Sequence, residues 1–242
     1  MPRIVYGKHP VEEAIRHSGR SISRLMLDVE RRSSLDDIAR AAHEAGVAVS
    51  WVDRAELERL CHNAHHQGAV AVLPEFGYAS VKDFAARATD QPRVVVALDG
   101  VTDPQNLGAC LRAAGAFGAD LLVITKDRSA PMTPVVAKAA AGATEVVPLA
   151  RETNLVQALE ILKKAGFWVY GLDAEAEQPL SDADLSGNVV LVLGSEGTGL
   201  RRLVRETCDH LAHLSAHGPI ESLNVAQACA VALYDVFRRR KK

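Results

Sequence analysis

The 242-residue sequence has little of several features that mark common protein classes. It contains 28 basic and 30 acidic residues, which argues against a uniformly basic nucleic-acid binder. A polyanion would have to be recognised through a local patch. The basic run at residues 238–242 is one candidate; a frayed, solvated helix end is the alternative. Aromatic residues make up only 5% of the chain, which disfavours a base-stacking platform.

Paired cysteines and long apolar runs are also missing. The four cysteines are far apart, with no Cys-x-x-Cys pair, and predict buried thiols in a reducing compartment. The first residues lack the apolar core of a signal peptide, and no stretch has the length of a membrane span. These absences predict a cytoplasmic protein. The cysteines are Cys61, Cys110, Cys208 and Cys229.

Two patterns divide the chain. Residues 1–73 alternate short helical and strand patterns, which indicates a small α/β domain, and residues 74–92 have the proline-bounded, weakly apolar character of a linker. Residues 93–242 contain apolar strands (VVVALDG, LLVIT, VVPL, WVYGLDA, VVLVLG) separated mostly by helical stretches. Strands buried on both faces predict a mostly parallel sheet covered by helices, an α/β fold.

The last apolar strand ends in a glycine-rich loop, VLVLGSEGTGL. Gly194, Gly197 and Gly199 reverse the glycine spacing of the dinucleotide fingerprint, and Glu196 would repel a phosphate at short range. The loop therefore favours a flat, polar ligand that is cationic or neutral, whose edges the backbone can reach. An ordinary tight turn is the alternative.

Two more polar loops follow strands or begin helices. In VTDPQNLGACLRAAGAFGAD, Asn106 near a helix start either caps the backbone or binds a ligand, and Arg112 is either functional or merely solvated. In HLSAHGPIESLNVAQACAVALYDVF, Ser222 and Asn224 lie where a long helix begins, with Ser222 a natural N-cap. Because ligands of parallel sheets bind where strands end and helices start, the three loops predict one site.

Together the three loops resemble the motifs of the SpoU (TrmH-like) RNA 2′-O-ribose methyltransferases of the SPOUT superfamily. The N-terminal part is similar too, because VYGKHPVEEAI and HHQGAVAV resemble the family's Tyr-Gly-x-His-x-Val and His-Gln-Gly motifs. The resemblance implies an RNA-binding domain like ribosomal protein L30e at residues 1–73. It also implies a methyltransferase domain with a deep C-terminal trefoil knot at residues 93–242.

The resemblance further implies that the chain binds S-adenosylmethionine and forms a homodimer. Its cofactor contacts would be Gly194, Leu214 and Leu223, with Glu196 and Gly199 close by. The catalytic group would comprise Arg112, Asn106, Glu196, Ser222 and Asn224. Because arginine stays protonated, we expect Arg112 to grip a phosphate and stabilise the developing alkoxide, while the other side chains order the ribose hydroxyl.

The two-domain layout resembles family members that methylate a guanosine of 23S ribosomal RNA in the large subunit. A tRNA or another rRNA site is the alternative substrate, and a non-catalytic RNA-binding protein of ribosome assembly is the alternative function. Cys61, His62, His65 and His66 are crowded on one short loop without a second cluster, so no metal site is predicted there and contact with RNA is favoured.

Overall fold

A computed structural model describes residues 2–61, 65–218 and 223–240. Short 3₁₀ turns join some of the helices and strands. The main elements in chain order are β1 (Arg3–Tyr6), α1 (Lys8–Ser18), β2 (Arg24–Asp28), α2 (Arg32–Glu44), β3 (Val49–Val52), α3 (Arg54–Cys61), β4 (Ala69–Leu73), α4 (Val81–Ala86), β5 (Val94–Asp99), α5 (Pro104–Phe117), β6 (Leu121–Thr125), α6 (Pro134–Ala140), β7 (Leu149–Glu152), α7 (Leu155–Lys164), β8 (Trp168–Leu172), β9 (Val189–Gly194), α8 (Arg202–Thr207), β10 (His210–Ala212) and α9 (Val225–Arg240).

Contacts between residues divide the chain into two compact units. Unit 1 comprises Met1–Gly77 and Met132–Val146, and unit 2 comprises Tyr78–Pro131 and Val147–Lys242. The short second segment of unit 1 therefore comes from the part of the sequence predicted to form the methyltransferase domain. The functional domain boundaries at residues 73 and 93 stay a prediction, because the compact units are defined by contacts and unit 1 takes in the distant segment Met132–Val146.

Unit 1 is built on a four-stranded mixed sheet in the order β1-β4-β2-β3. Strand β4 pairs antiparallel with β1 and β2, whereas β2 and β3 are parallel. Alternation of side chains along the strands gives the sheet two apolar faces. Leu25 and Leu27 pack with Leu35 and Ile38 on one face, and Met26 packs with Leu57 on the other.

The segment Met132–Val146 is held in unit 1 by a buried carboxylate. The Glu145 side chain is 3% exposed and forms an ion pair with Arg3, with 2.7 Å between Nη1 and Oε1. Ser18 Oγ also donates to Glu145 Oε2 at 2.5 Å. A buried carboxylate is tolerated because it is paired and hydrogen-bonded. This segment is therefore part of the folded core of unit 1.

Unit 2 contains a six-stranded sheet in the order β10-β8-β9-β5-β6-β7, and every described pairing in it is parallel. Helices α4, α7 and α8 cover one face, and α5 and α9 pack together on the other. Strands β5 and β6 are buried along their whole length, which explains why their sequences are continuously apolar. The predicted α/β class is confirmed, and the threading of a knot stays a prediction.

The sequence pattern places the strand at VVPL too early, since β7 begins at Leu149. The sequence pattern does not predict the short strands β1 and β10. Three of the four cysteines are buried, Cys208 is partly buried, and all four are free thiols. Burial raises the pKa of Cys61 to about 11 and of Cys208 to about 12, as expected for thiols held in apolar surroundings.

No helix in the described part of the chain combines the length and apolar character needed to cross a bilayer.

The basic C-terminal run is anchored rather than frayed, as far as residue 240. Arg240 donates from Nη1 to the carbonyl of Pro92 at 3.0 Å and from Nε to the carbonyl of Leu185 at 3.2 Å. Arg239 donates to the carbonyl of Ala183 at 2.7 Å. Guanidinium groups occupied by backbone carbonyls are not free to bind phosphate. Arg239 and Arg240 therefore fasten α9 to the segment before β9.

We predict that Arg240→Ala destabilises the protein by about 1–3 kcal/mol, because several backbone carbonyls lose a charged donor. Arg238→Ala is the matched control: Arg238 neighbours these residues on α9, but its side chain is 61% exposed and its described partner is Asp235. Denaturant unfolding followed by circular dichroism measures the difference. Equal loss of stability in the two variants would contradict the anchoring role.

Candidate active site

The parallel sheet of unit 2 brings three chain segments to one edge. Strands β5 and β9 are neighbours, and the register places their last residues, Asp99 and Gly194, opposite each other. The loop that follows each strand therefore starts from adjacent points. The segment after β10 leaves the same edge, because β10 is parallel to the rest of the sheet. This is the edge at which open parallel sheets bind ligands.

The glycine-rich loop doubles back on itself directly after β9. Ser195 N–H donates to Gly199 O at 3.2 Å and Gly199 N–H donates to Ser195 O at 3.0 Å. A side chain on Gly194 would overlap with the backbone of Gly199 and the following residue, so only glycine permits this approach. Gly197 has φ 82° at the turn. The backbone of the loop thus forms a tight turn, and Glu196 lies at its tip.

Three predicted site residues meet in one hydrogen-bond network. Asn106 Nδ2 donates to Glu196 Oε1 at 2.9 Å, and Asn224 Nδ2 donates to Asn106 Oδ1 at 3.0 Å. Asn224 Nδ2 also donates to Glu196 Oε1. The network joins the start of α5, the glycine-rich loop and the residue before α9. Within the described residues, Glu196 Oε2 has no hydrogen-bond partner, so one oxygen of this carboxylate can accept a bond from a ligand.

The N-termini of α5 and α9 are capped by side chains close to the site. Asp103 caps α5, since its side chain accepts from Gln105 N–H at 2.9 Å, and Pro104 occupies the first helical position. Asn106 is therefore free to bond Glu196 instead of capping the helix. Asn224 Oδ1 accepts from Ala226 N–H at 2.8 Å and caps α9, while its Nδ2 serves the network. One amide thus performs both functions.

The remaining predicted residues are placed as follows. Arg112 is exposed on α5, and it makes no hydrogen bond or ion pair with any residue that the structure describes. It lies six residues beyond Asn106, about 9 Å along the helix and on another face. Leu214 follows β10 and is partly buried, and Leu223 is 44% exposed beside Asn224. Ser222 lies outside the described residues.

An ion pair at the same edge was not anticipated from the sequence. Asp99, the last residue of β5, is buried and receives three donors from Arg201. An arginine shortly after the last loop glycine is the only sequence signal for this pair, and it is a weak one because the two residues are 102 positions apart.

The two N-terminal motifs also meet, within unit 1. Strands β1 and β4 pair so that Tyr6 lies opposite Val70, and Gly7 N–H donates to Ala69 O at 3.0 Å. Lys8 N–H, at the first turn of α1, donates to Gln67 Oε1 at 3.1 Å. Gln67 therefore caps α1 from a distant loop. His62 lies outside the described residues, and no set of three potential ligands suited to a metal ion occurs among those described.

Comparison with known proteins assigns the chain to a family. A model of the SpoU rRNA Methylase family matches residues 93–234, and a model described as RNA 2′-O ribose methyltransferase substrate binding matches residues 4–79. The chain belongs to the SpoU rRNA methylase family. The first match covers the whole Asn106, Glu196 and Asn224 network.

Curated relatives extend over nearly the full length. The chain is 42% identical to the 23S rRNA (guanosine-2′-O-)-methyltransferase RlmB of Ralstonia nicotianae, over 98% of this chain and 96% of the relative. The RlmB of Pseudomonas aeruginosa is also 42% identical, with the same coverage. Both relatives are named as enzymes that methylate guanosine in 23S rRNA.

Solved structures share the fold. An AdoMet-bound rRNA methyltransferase from Sinorhizobium meliloti superposes with a TM-score of 0.80 at 24% identity, covering 98% of this chain and 87% of that chain. The SpoU methyltransferase AviRb from Streptomyces viridochromogenes, in complex with AdoMet, gives 0.79 at 23% identity, covering 98% and 90%. These structures confirm the predicted fold class, and the family models and curated relatives confirm the predicted family.

His66, in the His-Gln-Gly motif, provides a prediction on pH. It is buried, and its Nδ1 accepts from Gly68 N–H at 3.0 Å; burial is the main cause that lowers its pKa. The unfolded chain then takes up the proton first as the pH falls, so stability is lost below about pH 6.5. We predict that His66→Asn, which keeps an acceptor but cannot be protonated, loses less stability between pH 7.5 and pH 5.5.

The measurement is denaturant unfolding at the two pH values. His43→Asn is the control, because His43 is exposed on α2. An identical pH dependence in wild type and His66→Asn would show that His66 does not carry the effect.

Proposed function

We propose that this chain transfers a methyl group from S-adenosylmethionine to the 2′-hydroxyl of a guanosine in 23S rRNA. The observation that carries the proposal is the network of Asn106, Glu196 and Asn224, which gathers one residue from each of the three family motifs at the ligand-binding edge of the sheet. The names of relatives that are 42% identical over nearly the whole chain support the same reaction and the same RNA.

The glycine-rich loop fits this cofactor. A side chain at Gly197 or Gly199 would meet nothing within 4 Å, so the outer surface of the turn is open to a ligand. The charged side chain within the turn, Glu196, is anionic, which disfavours a phosphate and is compatible with a sulfonium. Gly194 and Gly199 form the base of this surface, with Leu214 and Leu223 supplying apolar contacts for an adenine in our proposal.

When bound, S-adenosylmethionine supplies an electrophilic methyl group on a positively charged sulfur. The protein must then align the ribose hydroxyl and help it to lose a proton. Glu196 Oε2 is the acceptor without a protein partner among the described residues, and Asn106 and Asn224 fix the carboxylate through its other oxygen. Glu196, Asn106 and Asn224 thereby order the hydroxyl, and Ser222 joins them in the proposal.

Arg112 is suited to bind the RNA phosphate and to stabilise negative charge on the ribose oxygen. Its guanidinium is exposed on α5 and free of described partners, so it can bind the phosphate next to the target ribose in a bidentate manner. A fixed positive charge there stabilises the alkoxide that develops on the hydroxyl oxygen. Because arginine remains protonated at the pH of the reaction, this role is preferable to that of general base.

Two further parts of the proposal concern partners. Unit 1 presents the substrate-binding part, since residues 4–79 match the substrate-binding family model. The proposed place of action is the cytoplasm. A homodimer is supported by exposed apolar side chains on α9, which packs against α5. Val231 is 46% exposed and Tyr234 is 50% exposed, and Tyr234 stacks edge-on with Phe117 at 5.8 Å.

The function is tested with the full chain in two steps. Calorimetry measures binding of S-adenosylmethionine, and methyl transfer is then measured on unmodified 23S rRNA and on tRNA, followed by mapping of the methylated nucleotide. We expect binding and transfer to a guanosine of 23S rRNA. Transfer to tRNA alone would overturn the substrate, and absence of both binding and transfer would favour a non-catalytic RNA-binding protein.

Arg112→Lys separates the two roles of the arginine. We predict that turnover falls by about 100-fold or more, because an ammonium cannot bind the phosphate bidentately or hold charge at the same point. Cofactor affinity should stay unchanged. Arg87→Lys is the control, since Arg87 is exposed beyond the end of α4. Near-normal turnover with a pH optimum moved down toward the pKa of lysine would instead support a general base.

Sedimentation velocity tests the homodimer. We predict a species of twice the 26.0 kDa chain mass for wild type, and dissociation of Tyr234→Glu, because the change places a charge in an apolar interface. Asp235→Glu keeps the neighbouring charge on α9 and serves as the control. A monomeric wild type would remove this part of the proposal without affecting the reaction.

A further inference from the structure

Asp99 carries a buried charge that the proposed chemistry does not use. It ends β5, and its side chain is 0% exposed. A buried carboxylate is strongly destabilising unless it is paired and hydrogen-bonded. All of its described donors belong to Arg201: the backbone N–H at 2.8 Å from Oδ2, Nε at 2.6 Å from Oδ1, and Nη2 at 2.5 Å from Oδ1. The pair therefore requires Arg201 to stay in one place.

The position of Arg201 in the chain gives this pair its meaning. Arg201 follows the glycine-rich loop and immediately precedes α8. The loop begins at Gly194, which lies opposite Asp99 in the paired strands. Asp99 is thus adjacent to the first residue of the loop and bonded to the residue that follows it. The ion pair closes the base of the loop against β5.

Glu196 lies within the closed segment. The loop backbone is bonded to itself between Ser195 and Gly199, so a shift of its base moves the whole turn. Asn106 lies on the helix that follows β5, seven residues after Asp99. Asp99 therefore fixes the position of the glycine-rich loop relative to β5. Strand β5 in turn leads to α5, which carries Asn106.

We propose that Asp99 and Arg201 are positioning residues for the methyl donor, which hold the glycine-rich loop in its cofactor-binding form. They act through the backbone between Gly194 and Gly199 and do not touch the reacting atoms. This inference rests on the proposed function, because it assumes that the loop binds S-adenosylmethionine.

The same helix offers a matched control. Arg205 on α8 donates from Nε to Oδ2 of Asp173 at 2.8 Å, and Asp173 directly follows β8, the other neighbour of β9. The hydrogen bond from Arg205 is the main cause that lowers the pKa of Asp173. This second Asp–Arg pair ties α8 to a neighbouring strand end but does not close the glycine-rich loop.

The experiment compares Asp99→Asn with Asp173→Asn in the full-length protein. Calorimetry measures the Kd for S-adenosylmethionine, filter binding measures the Kd for 23S rRNA, and thermal unfolding measures stability. We expect Asp99→Asn to weaken cofactor binding by about tenfold or more, as for loss of a charged hydrogen bond, with RNA affinity within about twofold of wild type. Asp173→Asn should leave both affinities unchanged even where it lowers the melting temperature.

Arg201→Gln covers the case in which Asp99→Asn does not fold. The introduced glutamine keeps the backbone bond to Asp99 and can offer a neutral side-chain donor to the buried carboxylate. Thermal unfolding checks that the variant folds, and the folded variant should show the same loss of cofactor affinity. Arg201→Lys, which restores a charged donor, should recover part of the affinity, which a merely destabilising change would not do.

The outcomes distinguish failure of the positioning role from failure of the proposed function. If wild type binds the cofactor and a folded Asp99→Asn or Arg201→Gln variant binds it equally well, the positioning role is overturned while the proposed function stands. Equal weakening by Asp173→Asn would also overturn it, because general loosening of α8 would then be the cause. If wild type itself does not bind the cofactor, the proposed function fails.

Discussion

The close approach of two backbone segments at Gly194 is the constraint on which the site depends. Strand β9 must turn back at its last residue, and the backbone of Gly199 and Leu200 fills the space where any side chain on residue 194 would lie. The turn that results is short and bonded to itself. Its tip therefore has little freedom, and the position of Glu196 follows from the end of a buried strand.

The charge on Glu196 fits this arrangement. Its two described partners are neutral amides, so the carboxylate is oriented by charge-assisted hydrogen bonds without being neutralised by a cation. Asp99, by contrast, meets a guanidinium and is fully buried. Two carboxylates at one edge thus differ in role because their donors differ: one is locked in an ion pair, and the other keeps its charge and one oxygen for a ligand.

Much of this could be read from the sequence, for reasons that are physical. Continuous apolar runs revealed β5, β6 and β9 because strands buried on both faces need no polar side chains. Strands β1 and β10 are not predicted because three or four residues are too few to show a clear alternation of apolar and polar side chains. The motifs suggested that Asn106, Glu196 and Asn224 converge, but their hydrogen-bond pattern, and the capping of α5 by Asp103, emerge only from the folded chain.

Pairs far apart in sequence were beyond prediction from one chain, and they also shape how unit 1 folds. Arg3 and Glu145 are 142 positions apart, yet Glu145 is buried with Arg3 and Ser18 around it. Closing so long a loop has an entropic cost that local contacts do not have. The N-terminal sheet can form early, but its buried carboxylate partner arrives only after β5, α5 and β6 have been made. Completion of unit 1 is therefore coupled to synthesis of the first half of unit 2.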